Sequence, residues 1–395
     1  MPEKSLRIGI MGYGSAGNAH AHAWLNMPLY FYPPPAKPIL EAIYGGRNRE
    51  RVELFAKKYG FKRIIADWKE LVKDPDIDVV VIGTPAITHT EAAVTALESG
   101  KHVLCEKPMA RNAEEAKAMV KAAAKSKSKN IVGFNYRFVP AIAYAKKLIE
   151  QGYIGKISNF RGSYLNSMPD FAYLDLSIPV LGADWHFTPG AGGYGAITDI
   201  GTHILDMARF LVGEVTSVAS ARSQIAEERL LADRPNEKGK VSSNIEDLAV
   251  AALKFRGGAL GTVEASWMAP GGKDLMRFDF YGTEGAIRFN LERIHELEVF
   301  TLKDSKEMRG FKNILTLSSS HPLMDKYWLD QGGGFAWEYT FVNELHHFAD
   351  CIVNDKSVSP QGATFLDGYR NCVIMDAMVQ SAKDERWVAV SPDNP

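Results

Sequence analysis

The chain has 395 residues, too many for one ordinary hydrophobic core, so two domains are expected. Hydrophobic residues make up 46% and charged residues 24%, a globular balance, and a formal net charge of -1 gives no global field for nucleic acid or an anionic membrane. No apolar run reaches the ~18 residues of a membrane span, and residues 1–5 lead directly into a strand, with no room for a secretory signal. The three cysteines, Cys105, Cys351 and Cys372, form no CxxC pair, which fits a reducing compartment such as the cytoplasm, without disulfides or zinc.

Residues 6–11 read as a short buried strand, and residues 16–26 as the helix after it. A second strand, 39–44, ends at Gly45–Gly46, and a helix follows at 49–59. Residues 78–83 form an apolar, β-branched strand of the kind found in parallel sheets covered on both faces. A helix over 88–99 stops at Gly100. Strand 101–105, helix 113–125 and strand 130–134 continue the alternation. This is the pattern of a doubly wound parallel sheet, an α/β Rossmann domain expected over 1–135.

The rhythm changes near Pro140. A helix (141–151) leads to a strand (157–162), and three later runs alternate apolar and polar residues: 247–255, 259–267 and 277–281. Turns at Arg256–Gly257–Gly258 and Gly271–Gly272 separate them, so they read as an antiparallel meander. The second domain, 136–395, is therefore expected to be α+β, with a large open, mostly antiparallel sheet carrying helices on one face. Its last helix, about 362–384, is expected to pack back towards the first domain. The charged stretch 226–243 reads as a loop or arm.

Between the first strand and first helix stands Gly12–Tyr13–Gly14–Ser15–Ala16–Gly17. A GxGxxG run alone is a weak signal, but a strand before it and a helix after it are the context that supports a dinucleotide site. Gly12 permits the tight turn, Gly14 lets backbone approach a pyrophosphate, and Gly17 lets helix and strand pack closely. The helix N-terminus then holds the phosphates. NAD sites usually carry an acid at the end of the second strand, for the ribose 2′-hydroxyl. Here Gly45, Gly46, Arg47 and Asn48 stand instead. Arg47 can pair with a 2′-phosphate and Asn48 can bind a plain ribose, so NAD and NADP both stay open, with a slight lean to NADP.

Glu106–Lys107–Pro108 directly follows a strand, and ligands of open α/β sheets sit beyond strand carboxyl ends. Lys107 could thus reach a nicotinamide, or be a plain surface lysine. Asp199, His203 and Asp206 stand at i, i+4 and i+7, one face of a helix whose other positions are apolar. Such a stripe faces a cavity or finds partners, since burying it unpaired is costly. The spacing alone fits catalysis or a structural hydrogen-bonded stripe.

Together with Gly133–Phe134–Asn135–Tyr136–Arg137–Phe138–Val139–Pro140 and Phe365–Leu366–Asp367–Gly368–Tyr369–Arg370, these motifs stand in the order found in one family. Over nearly its whole length the chain resembles the glucose–fructose oxidoreductase/inositol dehydrogenase/rhizopine-catabolism (Gfo/Idh/MocA) family. The resemblance implies a catalytic trio of Lys107, Asp199 and His203, with Asp206, Tyr136, Trp185 and His186 near the substrate and a cis peptide before Pro108. It further implies cofactor contacts from Thr84, Pro85, His89, Glu106, Asn135 and Arg137. The activity implied is reversible oxidation of a secondary ring hydroxyl of a sugar, anhydro-sugar or inositol, by a homodimer or homotetramer joined through the second sheet. His203 would take the hydroxyl proton, Lys107 would stabilise the alkoxide, and Asp199 would orient one of them. No metal site is expected. Two other classes compete with this one: an NAD-dependent glycosidase of the same fold, which would hydrolyse without net cofactor reduction, and a cofactor-binding regulator without turnover, against which the complete Lys107, Asp199 and His203 set argues, since a sensor has no need of a general base.

Overall fold

A computed structural model describes residues 4–46, 48–167, 192–225, 228–230, 240–242, 245–325, 327 and 334–391. The first domain carries strands β1 (Ser5–Met11), β2 (Lys37–Tyr44), β3 (Arg63–Ile64), β4 (Val79–Ile82), β5 (His102–Cys105) and β6 (Asn130–Val132). Between them run α1 (Ser15–Tyr30), α2 (Arg49–Tyr59), α3 (Trp68–Lys73), α4 (His89–Glu98) and α5 (Ala113–Lys125). The sheet order is β3-β2-β1-β4-β5-β6, and every pair is parallel. All of β4 is buried, as a central strand covered on both faces must be. The order reverses between β1 and β4, which opens a crevice at their carboxyl ends.

The second domain contains α6 (Pro140–Glu150), β7 (Ile157–Leu165), α7 (Thr202–Leu211), β8 (Val215–Ser223), β9 (Glu228–Leu230) and β10 (Lys240–Ser242). It continues with β11 (Leu248–Phe255), β12 (Leu260–Ser266), β13 (Leu275–Gly282), β14 (Gly285–Asn290), β15 (Glu296–Thr301) and β16 (Lys312–Leu315). Helices α8 (Glu338–Val353) and α9 (Phe365–Asp384) and strand β17 (Val388–Ala389) complete it. Nine strands form one sheet in the order β16-β15-β14-β13-β7-β12-β11-β8-β17. The expected meander holds for β11 and β12 only. Strand β7 inserts between β12 and β13, parallel to the first and antiparallel to the second. The stretch 226–243 is also more than a loop, since β9 and β10 pair antiparallel within it.

Strands β11, β12 and β13 alternate buried and outward residues, so one face packs on helices while the other is open. On that open face lies a groove of about 1120 Å³, lined among others by Arg161, Arg222, Val250, Glu264, Arg277 and Trp387. Helix α9 crosses back to the first sheet: Ala363 bridges to Val132, and the Phe365 amide donates to Asn130 Oδ1 at 2.8 Å.

Candidate active site

The Gly turn is shaped by backbone contact. Gly12 lies at φ +103°, its amide donates to Tyr44 O at 2.7 Å, and a Cβ there would stand 2.5 Å from Gly83 O. A Cβ on Gly17 would collide with Gly12 O, whereas Gly14 faces open space. Gly14 is also the N-cap of α1, with no side chain capping the helix, so the first-turn N–H groups stay available to an anion. These features fit a dinucleotide pyrophosphate. At the end of β2, Gly46 adopts φ +68°, while Asn48 is engaged as the N-cap of α2, accepting from Arg51 N at 3.1 Å. Arg47 lies outside the described residues.

Lys107 leaves β5 through the Glu106–Lys107–Pro108 loop, whose Lys107–Pro108 bond is cis. Its Nζ donates to Asp199 Oδ1 at 2.9 Å and to the Asp199 carbonyl at 3.1 Å. Trp267 Nε1 donates to the other carboxylate oxygen at 3.0 Å, so Asp199 is gripped from both sides. Asp199 sits in a π-helical turn, Ile197–Gly201, that runs into α7. Such turns often mark functional sites, because the extra residue re-aims a side chain. The start of this turn is tied down by Glu246, whose Oε1 accepts from Gly195 N at 2.7 Å and Ile197 N at 3.1 Å.

His203, on the first turn of α7, is buried against aromatic rings. Tyr136 lies 4.6 Å away between centroids, Phe134 5.9 Å and Tyr164 6.0 Å. Burial first, and the Lys107 cation second, push its pKa well below the usual imidazole range. A polar chain borders it: Tyr136 Oη meets Tyr164 Oη at 2.9 Å, Trp337 Nε1 donates to Tyr136 Oη at 3.3 Å, and Tyr164 Oη donates to Asp274 Oδ1 at 3.3 Å. Burial raises the pKa of both phenols, so they remain donors at neutral pH.

Several expected site residues are engaged elsewhere. Asp206 is fully buried and takes a bidentate Arg137, at 2.8 Å to Nε and 2.6 Å to Nη2. Arg137 also donates to Pro360 O at 3.3 Å and lies 3.5 Å from Asp367 Oδ1, so the pair is held within the core. Asn135 donates to Thr340 Oγ1 at 2.8 Å, which fastens the junction to α8. His89 lies between Thr84 O (2.7 Å) and Pro108 O (3.0 Å), and burial lowers its pKa. It ties the loops after β4 and β5 together, and as a neutral ring donates to one of the two carbonyls. Thr84 Oγ1 meets Thr88 Oγ1 at 2.6 Å, beside Pro85 at the head of the turn before α4. Glu106 accepts from its neighbour's amide and from His20 rather than pointing at the Gly turn. Trp185 and His186 lie outside the described residues. Glu246, Tyr164 and Asp274 had no spacing signal that tied them to the site. Trp267 holds Asp199 through its indole N–H, a role that no local pattern marks.

A dinucleotide cradle facing a Lys–Asp pair and a neutral buried histidine defines a nicotinamide-dependent oxidoreductase. Residues 6–134 match the oxidoreductase family with an NAD-binding Rossmann fold, and residues 142–288 match the GFO/IDH/MocA C-terminal domain. The chain belongs to the Gfo/Idh/MocA oxidoreductase family. It is 40% identical over 396 residues to levoglucosan dehydrogenase of Pseudarthrobacter phenanthrenivorans, covering 98% of each chain. It is 31% identical to the scyllo-inositol 2-dehydrogenase (NAD(+)) of Bacillus subtilis, covering 90% of this chain and 88% of that one. A solved levoglucosan dehydrogenase in complex with NADH and levoglucosan superposes with a TM-score of 0.91, covering 98% of this chain and all of that one (100%) at 40% identity.

Proposed function

We propose that the protein oxidises a secondary ring hydroxyl of a sugar, anhydro-sugar or inositol to a ketone, reversibly, with NAD as acceptor and levoglucosan as the first candidate substrate. The observation that carries this reading is the contact of Lys107 with Asp199 beside a histidine kept neutral by burial. Nicotinamide, when bound, accepts the hydride from the carbinol carbon. The protein's part is the proton and the charge. A neutral His203 takes the hydroxyl proton, which an imidazolium could not do. Lys107 donates to the oxygen as negative charge builds on it. Asp199, held by Trp267, keeps the lysine aimed. The rings of Tyr136, Phe134 and Tyr164 limit water around the imidazole, and Asp274 with Tyr164 offers acceptor and donor groups to further ring hydroxyls.

NAD is favoured over NADP by the NADH-bound relative at 40% identity, although no carboxylate stands in Gly45–Asn48 to exclude a 2′-phosphate. A second copy of the chain on the open face of the nine-stranded sheet completes the proposal, since that face exposes Val250 and Leu260 beside charges of both signs.

The test is absorbance at 340 nm with levoglucosan, myo-inositol, glucose and xylose, each with NAD and with NADP. Reduction of NAD by levoglucosan or another cyclic polyol is expected. No absorbance change with any of them overturns the reading, and a kcat/KM higher with NADP reverses the cofactor choice.

A further inference from the structure

Behind Lys107 lies a second group of titratable residues that the hydride transfer does not use. His20 sits in the second turn of α1, the helix that begins at the Gly turn, and is completely buried. Its Nε2 meets Glu106 Oε1 at 2.7 Å, and the other oxygen of Glu106 accepts from the backbone N–H of Lys107 at 3.0 Å. Gly133 leaves the space that Glu106 needs, for a Cβ there would come within 2.9 Å of Oε1. From the second domain, α8 packs over the same place. Phe341 meets His20 edge-on at 5.3 Å, and Glu344 follows one turn later on the same face.

Glu344 is fully buried, and neither of its oxygens has a hydrogen-bond partner among the described residues. His20 Nδ1 is likewise buried without one. A carboxylate in such a site would lie near the Glu106 anion with no cation of its own. Around it, α1 offers His20, committed to Glu106, and the turn Asn135–Phe138 offers Arg137, committed to Asp206. Along α8 itself His347 is committed to Val358 O, and Lys107 beyond Glu106 is committed to Asp199. Holding the proton avoids the large penalty of an unpaired buried charge. Burial and the Glu106 charge both push the Glu344 carboxyl well up, in agreement.

We propose that Glu344 is an uncharged positioning residue: its carboxylic acid backs the His20–Glu106 pair from the second domain and so keeps the Lys107 backbone in register with Asp199. The helix of the dinucleotide turn, the lysine loop and α8 thereby meet at one buried site, where Phe341 supplies the ring contact to His20. The proposal rests on the dehydrogenase reading only for the role of Lys107.

The test compares wild type, E344Q and E344L in Tm from pH 5 to 8.5, in NADH affinity by fluorescence, and in levoglucosan oxidation. A carboxyl whose pKa is raised on folding stabilises the protein fully only below the unfolded value near 4.5, and loses that contribution as pH rises. E344Q, which cannot ionise, is therefore expected to gain on wild type by ~1–3 °C per pH unit above about pH 5. Its kcat is expected within about twofold of wild type, while E344L loses roughly 5- to 20-fold in kcat with KM and NADH affinity little changed, the scale of one displaced hydrogen bond. A Tm gap that is flat or falls with pH overturns the uncharged state. Wild-type kcat in E344L, or equal losses in E344Q and E344L, overturns the positioning role. If E344L does not fold, E344Q decides alone, since an ionised, paired Glu344 would cost it both Tm and kcat. If wild type itself leaves levoglucosan unoxidised, the substrate assignment has failed, and the Tm series still reads Glu344.

Discussion

His203 makes no hydrogen bond within the described residues, and the rings of Tyr136, Phe134 and Tyr164 set its environment. Its depressed pKa gives a signed expectation. The base form is complete at neutral pH, so kcat/KM for oxidation should have no acidic limb near the ordinary imidazole value and should fall only well below it. A pH–rate profile checks this, and a limb at the ordinary imidazole value would show that the ring is solvated in the working enzyme. Lys107→Ala and His203→Ala should each lower kcat by at least ~10²-fold in the same assay. The buried Arg137–Asp206 pair leads to a different outcome. Asp206→Ala takes the bidentate partner from a buried guanidinium, leaving Asp367 at 3.5 Å as its remaining carboxylate, and should cost ~3 kcal/mol in denaturant unfolding. A loss confined to substrate KM, with stability intact, would instead return Asp206 to the substrate.

Among the elements, the strand–turn–helix of residues 5–30 has the least tolerance. A methyl on Gly17 meets the carbonyl of Gly12, which shapes the turn, so Gly17→Ala should weaken NADH binding at least ~10-fold by fluorescence titration. Unchanged affinity would mean that the turn does not carry the phosphates. The first domain was readable because local rules agreed there: apolar strands, and glycines at the places that turns require. Helices α2 and α5 fall on the expected residues for that reason. The two-residue β3 and the six-residue α3 are too short to show a period, and both escape a pattern reading. The place of β7 between β12 and β13 escapes it too, because alternation tells which face is buried and not which neighbour is paired. In the site, Lys107, Asp199 and His203 were legible from spacing and family motif together. Their supports, Trp267 and Glu246, come from distant strands and loops, where nothing local marks a hydrogen bond across 50 or 70 residues.

At the scale of the whole molecule, the open sheet face carries no covering layer among the described residues. If a second copy covers it, Val250→Asp should shift the sedimentation coefficient towards the monomer while leaving NADH affinity unchanged. A monomeric wild type would dispose of the interface.

The return of α9 to the first sheet bears on how the chain is made. Strand β6 gains its outer bridge from Ala363, and Asn130 anchors the start of α9 at Phe365. A nascent chain on the ribosome therefore holds a Rossmann sheet with one flank uncovered until some 230 further residues have been synthesised. A sheet made early in this stretch is sealed by a helix made much later. The first sheet can pair all six of its strands before that point, but its β6 flank is finished only when α9 docks on it.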